Sequence, residues 1–414
     1  MEFKSIAVIV QYFPTISETF IVNQINSLIN AGYNVKLYSY NKVELKFVHN
    51  AINRYNLINA VTYFEKPPVS KIRRLGSFFK WTFMHFKHVK WKLYFKTLNI
   101  FKYGKDAFTL KLFFESQWFL VENDIDLIHA HFGMVGNRIA YLKTQQVILG
   151  SVKLITTFHG YDLIPSKLLD YKAGYRHLFA KANVFTVNTP YLKSILQQIN
   201  SNNIPCYILP VGLDTDFFKR EATKQNHTNF NLVFCGKLIP LKGPDLAISI
   251  VKKLQDLGYR DVRLHILGDG ALRKDLECQI EDSNLQEVVY IHGKQTQVQI
   301  RAFFEKSDLF LLPGLYEKKT GRAETQGLVI QEAQAMELPV VVSDAGGMKY
   351  GLLPNESGFV IKENDINAFV EVIERLILDP KLCKDMGSIG RQFVKKNYDN
   401  QVLLKKMLEI YQSL

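Results

Sequence analysis

The chain has 414 residues, 47% of them hydrophobic, and a formal net charge of +13. That length suits two or three domains, each with a real core, and the composition excludes a wholly disordered or collagen-like chain. No apolar run approaches the ~20 residues of a membrane-spanning helix.

The first apolar run, Ile6 to Val10, is too short for the apolar stretch of a secretion signal and predicts a buried strand. The next segment, QYFPTISETFIVNQINSL, leads into a helix, with Thr15 and Glu18 spaced as a capping box. Ser17, Thr19 and the first helical amides would then stand at the carboxyl end of that strand. Further strand-like runs follow at 35–40, 126–132, 154–160, 184–189 and 206–212. A second series follows at 231–236, 262–270, 288–293, 308–314 and 339–347. Near-continuous β-branched runs, mostly separated by helix-length segments, predict parallel strands buried on both faces.

Two such series predict an α/β protein of two doubly wound, Rossmann-like domains facing a cleft. The first would span 1–212 and the second 230–385, joined by a polar linker at 213–229. A C-terminal helical segment, 386–414, is expected to cross back to the first domain. Four scattered cysteines, Cys206, Cys235, Cys278 and Cys383, fit a reducing, cytoplasmic setting.

The charge is concentrated. Residues 66–105 hold eleven Lys and Arg, no Asp or Glu, and ten aromatics, among them Phe78, Phe79, Trp81, Phe83, Phe86, Trp91 and Phe95. Rings interleaved with cations suit an anionic bilayer surface, where the rings enter the interface and the basic stems snorkel. Solvated amphipathic helices and a single-stranded nucleic-acid surface are the competing readings. No zinc spacing or helix-turn-helix pattern elsewhere supports the nucleic acid.

In open parallel sheets, ligands bind beyond the carboxyl ends of the strands. After the strand at 231–236, Gly236, Lys237, Lys242 and Gly243-Pro244 bring two cations to a helix start. That is a fit for a phosphate or diphosphate, with two surface lysines in a turn as the alternative. After 308–314, a polar loop carries Glu324 and Gly327, followed by Leu328 and Glu332. Were the span all helical, the two glutamates would lie ~12 Å apart along the axis and ~80° around it. That suits two contacts on a long ligand rather than an acid/base dyad; a solvated helix face is the bland alternative. His131 and His159 close two strands of the first domain, where each could meet a sugar hydroxyl or be satisfied inside the protein. Neither belongs to a cluster with metal-ligand spacing.

Together these segments resemble the retaining glycosyltransferases of family 4, which have the two-domain GT-B fold. The resemblance runs over nearly the whole chain and rests on several motifs in the family's order. In ETQGLVIQEA it implies that Glu324 contacts the donor sugar and Glu332 the ribose, with Gly327 and Leu328 between. GKLIPLKG resembles the diphosphate clamp, with Lys242 matched and Lys237 standing where the family has Arg, which keeps the charge and loses the bidentate fork. TFHGYD aligns His159 with the family histidine near the transferred sugar. VVYIHGK, ending at Lys294, resembles the loop that holds the base. Met348-Lys349-Tyr350 stand where many members carry a glutamate. FPTISETF replaces a Gly-Gly loop, and in this form resembles a subgroup of bacterial exopolysaccharide and lipopolysaccharide assembly.

The implied activity is transfer of a hexose from a nucleotide-diphosphate sugar, UDP- or GDP-linked, to a glycan acceptor, with retention. No cofactor and no metal are implied. Catalytic roles fall to Glu324, His159 and Lys242. Donor contacts fall to Gly236, Lys237, Lys242, Gly327, Leu328, Glu332 and Lys294, and Ser17, Thr19 and His131 form an acceptor- or donor-side loop. With residues 66–105 on an anionic membrane, the protein would sit peripherally on the inner face of the cytoplasmic membrane beside a lipid-linked acceptor, without nucleic acid. The competing functions are a catalytically silent GT-B partner protein at the membrane and a GT-B sugar-nucleotide epimerase.

Overall fold

The computed structural model describes residues 3–15, 19–43, 55–122, 124–221 and 229–414. Two wholly parallel sheets organise the chain. The first has seven strands: β1 (Ser5–Phe13), β2 (Asn34–Lys42), β3 (Thr62–Tyr63), β4 (Leu127–His131), β5 (Lys153–Phe158), β6 (Val184–Val187) and β7 (Cys206–Ile208). Their spatial order is β3-β2-β1-β4-β5-β6-β7. The second has six: β8 (Phe230–Cys235), β9 (Val262–Leu267), β10 (Val289–Gly293), β11 (Leu309–Leu312), β12 (Val340–Ser343) and β13 (Gly358–Ile361), in the order β10-β9-β8-β11-β12-β13. In both sheets the order reverses beside the first strand, which opens a crevice at the carboxyl ends. The central strands are buried along both faces: Val8 pairs in register with Leu37 on one side and His129 on the other, and Leu232 with Leu264 and Leu309.

This is the expected pair of Rossmann-like domains. Two strands have no counterpart among the sequence runs. β3 is two residues long, and β13 is the four-residue GFVI that follows polar Asn355–Ser357. Both lie at sheet edges, where one neighbour suffices and long apolar runs are not needed.

The C-terminal segment is two helices, Pro380–Asn397 and Asn400–Gln412, broken at Tyr398-Asp399. Asp399 caps the second through Gln401 N (2.8 Å) and also accepts from the Thr215 hydroxyl at 2.6 Å. Leu213 N donates to Tyr398 O and Asn400 N to Leu213 O, so the crossing is tied to the exit from the first domain. Beyond it, Met407, Ile410 and Tyr411 pack into the first domain against Ile25, Val8 and Leu127 as members of one core cluster.

The basic-aromatic segment is helical over Lys71–His85, Trp91–Thr97, Ile100–Tyr103 and Lys105–Phe108. Its rings divide. Phe78, Trp81 and Tyr94 are buried around Phe113, whereas Phe79, Phe83, Phe86, Phe95 and Phe101 are exposed, Phe83 at 85%. Phe78 and Trp81 therefore correct the expectation that this ring set faces outward: three-residue spacing puts both on the inner stripe of one helix. No described helix is long and apolar enough to cross a membrane.

Candidate active site

The carboxyl ends of β8 and β11 build one wall of the crevice. Gly236 leaves β8, Lys237 is exposed, and Pro240–Lys242 makes one 3-10 turn before the helix Pro244–Asp256. Lys242 reaches back across this turn to an ion pair with Glu324, both side chains largely buried. Burial alone would raise the Glu324 carboxyl, but the Lys242 charge, its hydrogen bond and the Gly327 amide (3.1 Å) outweigh it and hold the group below its ordinary value. Glu324 stands in the loop and Glu332 in the helix Leu328–Ala335, so the all-helical spacing between them does not apply. The chain turns at Gly327 with φ +73°, and a Cβ there would meet Ile330 Cδ1 at 2.9 Å. Glu332 is buried, which pushes its pKa up to about 7.

Gln326, between the two glutamates, grips the interdomain segment. Its amide accepts from Val211 N and donates to Val211 O, each at 2.8 Å. Lys294 is exposed just past β10, and Leu328 begins the helix that carries Glu332. Lys349, in the segment that departs from the family pattern, pairs with Asp344 at 2.9 Å.

The opposite wall is made by β4 and β5. His159 follows β5 and contacts Phe20 and Phe132, each at 4.8 Å between ring centroids. Its Nε2 shares a hydrogen bond of 3.1 Å with His131 Nδ1, and the rings stack at 5.3 Å. His131 in turn stacks on His129 at 4.7 Å. Gln24 Nε2 donates to His129 Nδ1 and the Tyr411 hydroxyl meets the same nitrogen at 2.6 Å. His129 Nε2 therefore carries the hydrogen that goes to Thr157 Oγ1, at 2.6 Å. Burial pushes His129 and His159 down to about 3, and His131 well below its ordinary value, with its histidine neighbours adding to the effect. The three rings are neutral. His131 is completely buried, which corrects its assignment to a ligand-facing loop: it lies behind His159. Ser17 lies outside the described residues, and Thr19 opens the helix Thr19–Asn30.

The walls meet one residue from Glu324. Thr325 Oγ1 donates to the His159 carbonyl at 3.3 Å, Asn188 Nδ2 donates to Thr325 Oγ1 at 3.2 Å, and Thr189 Oγ1 donates to Thr325 O at 2.8 Å. Gly160, at φ +111°, permits this contact, since a Cβ there would sit 2.5 Å from Thr325 Cγ2. The geometry thus pairs Glu324 with Lys242 and ties the next residue, Thr325, to the His159 backbone, with Gly236, Gly327 and Glu332 on the second-domain wall.

One organising residue is added. Asp162 is buried and accepts from Gly133 N (2.8 Å), His159 N (3.1 Å) and Gly160 N (2.9 Å), fixing the loop that presents His159. Its sequence signal is an Asp three residues beyond a strand-end histidine, where side-chain turns form. Thr325 had no such signal, because its partners lie on the other domain.

Two family models divide the chain between them. The one described as Glycosyltransferase Family 4 matches residues 17–217, and the one described as Glycosyl transferases group 1 matches 215–393. The chain belongs to these glycosyltransferases. It is similar over 404 residues, at 26% identity, to a proposed colanic acid biosynthesis glycosyltransferase, WcaL, of Escherichia coli (strain K12), covering 97% of this chain and 98% of that one. The amylovoran biosynthesis glycosyltransferase AmsK of Erwinia amylovora is 25% identical over 407 residues, with the same coverage. Among solved structures, Anabaena Alr3699/HepE in complex with UDP superposes with a TM-score of 0.72 over 99% of this chain and 100% of that one, at 15% identity. That likeness is one of fold.

Proposed function

We propose that this glycosyltransferase moves a hexose from a nucleotide-diphosphate sugar to a glycan acceptor during assembly of a cell-surface polysaccharide, with retention at the anomeric carbon. The supporting observation is the Lys242–Glu324 ion pair, one residue from the Thr325 contact with His159. In this reading Lys242 supplies a cation for the diphosphate, Glu324 a carboxylate for the sugar, and His159, on the facing wall, a neutral imidazole for a hydroxyl. Relatives of matching length whose names place them in colanic acid and amylovoran biosynthesis support the polysaccharide setting.

The chemistry follows from charge. The bond between C1 and the diphosphate oxygen breaks, and negative charge gathers on the leaving group while C1 becomes cationic. Lys242 exchanges Glu324 for the diphosphate, and Lys237 adds a second cation. Preorganised donors aimed at developing charge are usually the largest catalytic term. Glu324, released from Lys242, accepts from sugar hydroxyls. The acceptor oxygen bonds to C1 on the face the diphosphate leaves, and its proton passes to a leaving phosphate oxygen. His159 stays neutral and hydrogen-bonds the sugar. This scheme assigns no protein nucleophile and no metal; turnover that survives a chelator is the expected result, and loss of activity restored by a divalent cation would contradict it.

The proposed acceptor is carried on lipid, with the protein peripheral on the inner face of the cytoplasmic membrane through residues 66–105. Exposed Phe79, Phe83, Phe95 and Phe101 among the lysines support this placement. Each cation near an anionic surface contributes about 1 kcal/mol. Vesicle sedimentation tests it: binding to anionic vesicles should fall when Phe83 and Phe101 are both changed to Ser, and equal binding would remove the membrane from the proposal. The transfer itself is tested by offering UDP- and GDP-sugars, selected by thermal shift, with a membrane lipid extract as acceptor.

A further inference from the structure

Away from the crevice centre, at the carboxyl ends of β2 and β3, the first domain holds a cavity of about 150 Å³ that opens into a broader groove of about 650 Å³. Tyr40, Asn41, Phe64 and Lys66 line both. Four cations, Lys42, Lys66, Lys111 and Arg138, face two carboxylates, Glu65 and Glu115, so the lining carries an excess of two positive charges. Tyr40 is the centre of the site. Its ring lies against Phe64, with centroids 4.4 Å apart, and the Arg138 guanidinium sits 3.5 Å from its centroid. Its hydroxyl is buried and has no hydrogen-bond partner. An unpartnered buried hydroxyl is rare and costs free energy unless a ligand or water completes it. Arg138 spends Nε (3.1 Å) and Nη2 (2.7 Å) on Glu115, which leaves further N–H groups of its five. Lys111 is only loosely paired with Asp106, at 3.5 Å.

The groove is fixed to the exposed aromatic-basic helices. Arg74, in the helix Lys71–His85, donates from Nε to Pro68 O at 2.9 Å and from Nη1 to Thr109 O at 3.0 Å. Those carbonyls lie two residues from Lys66 and two from Lys111, so one side chain staples both cationic walls to the helix that exposes Phe79 and Phe83. A group held in the groove is thereby held beside that face, at the edge of the crevice where β1 ends.

We propose that this groove seats a phosphate group carried at a membrane surface, with Lys66, Lys111 and Arg138 holding its oxygens and the Tyr40 hydroxyl donating to one of them. Charge-assisted bonds from Arg and Lys suit phosphate oxygens. The phosphate is either that of a lipid-linked acceptor or a bulk phospholipid headgroup. The inference deepens the proposed function and rests on its membrane-borne acceptor.

The experiment uses the full chain carrying Lys242→Ala, so that the donor clamp does not report. Inorganic diphosphate and farnesyl diphosphate are titrated by calorimetry into this protein and into versions adding Tyr40→Phe or Lys66→Ala. Tyr40→Phe removes only an unpaired hydroxyl and should leave the thermal midpoint unchanged or raised. Each addition should weaken farnesyl diphosphate about tenfold, as expected for one charge-assisted bond. Phosphatidylcholine vesicles with and without phosphatidylglycerol separate the sources. If diphosphate affinity falls while vesicle binding holds, the groove takes the acceptor lipid. If phosphatidylglycerol-dependent binding falls as well, it takes bulk headgroups. Unchanged affinity for both ligands in both variants overturns the groove. Intact diphosphate binding here, beside a native chain that transfers no sugar, would instead defeat the transferase reading and spare this one.

Discussion

The two walls of the crevice are built from opposite electrostatics. On the second-domain side, Lys242 and Glu324 are an ion pair, Lys237 is an exposed cation and Glu332 is poised near neutrality. On the first-domain side, buried His129 and His131 and half-buried His159 form a stacked, uncharged column. In the proposed reaction the departing diphosphate meets the charged wall, and the transferred sugar meets the neutral one.

The largest effect should come from breaking the charged wall. Lys242→Ala removes the cation proposed to stabilise the leaving group, and kcat should fall about 10²–10³-fold in a steady-state transfer assay, by comparison with loss of a single oxyanion donor. Near-normal kcat would remove Lys242 from the clamp. Glu324→Gln leaves Lys242 without its partner and should lower stability by about 1–3 kcal/mol, a loss that saturating donor sugar should partly restore in a thermal melt.

The neutral wall predicts the reverse pattern. His159→Gln keeps a neutral hydrogen-bonding group and should retain more activity than His159→Lys, which puts a charge in an apolar, histidine-lined site. Equal activity in the two variants would contradict the role of neutrality.

Glu332 gives a smaller, pH-dependent effect. Burial raises its folded pKa to about 7, from the ordinary 4.5 of a glutamate. Between those values the folded state binds the extra proton, so stability falls as pH rises through this window and is constant above it. Glu332→Gln abolishes the loss, and its thermal midpoint should exceed that of the native chain at pH 8 and match it near pH 4. The difference in stability is on the order of 3 kcal/mol. Parallel curves for the two proteins would place the titration elsewhere.

The walls also differ in how far the sequence revealed them. The charged wall reads locally: GKLIPLKG and ETQGLVIQEA each place their residues just past one strand, and strand ends are where parallel sheets bind ligands. The neutral wall depends on packing. HAHFG and TFHGYD mark both strand ends, yet only the pairing of β4 with β5 shows His131 behind His159. Tyr411, which completes the column, lies 282 positions from His129. Thr325 and Gln326 carry no local signal, because their partners, His159 and Val211, belong to the other domain and its exit. The basic-aromatic segment was legible in composition but not in orientation. Its rings sort into core and surface by helical phase, and three-residue spacing placed Phe78 and Trp81 inside.

The central claim is that a nucleotide sugar engages the charged wall and its sugar is passed to an acceptor across the crevice. The direct measurement is transfer of labelled sugar from the donor chosen by thermal shift to lipid extract, with the native chain and Lys242→Ala in parallel. The account predicts a labelled glycolipid from the native chain and a loss of about two orders of magnitude or more in the variant. Labelled product at equal rates from both, or none from the native chain despite donor binding, would contradict it.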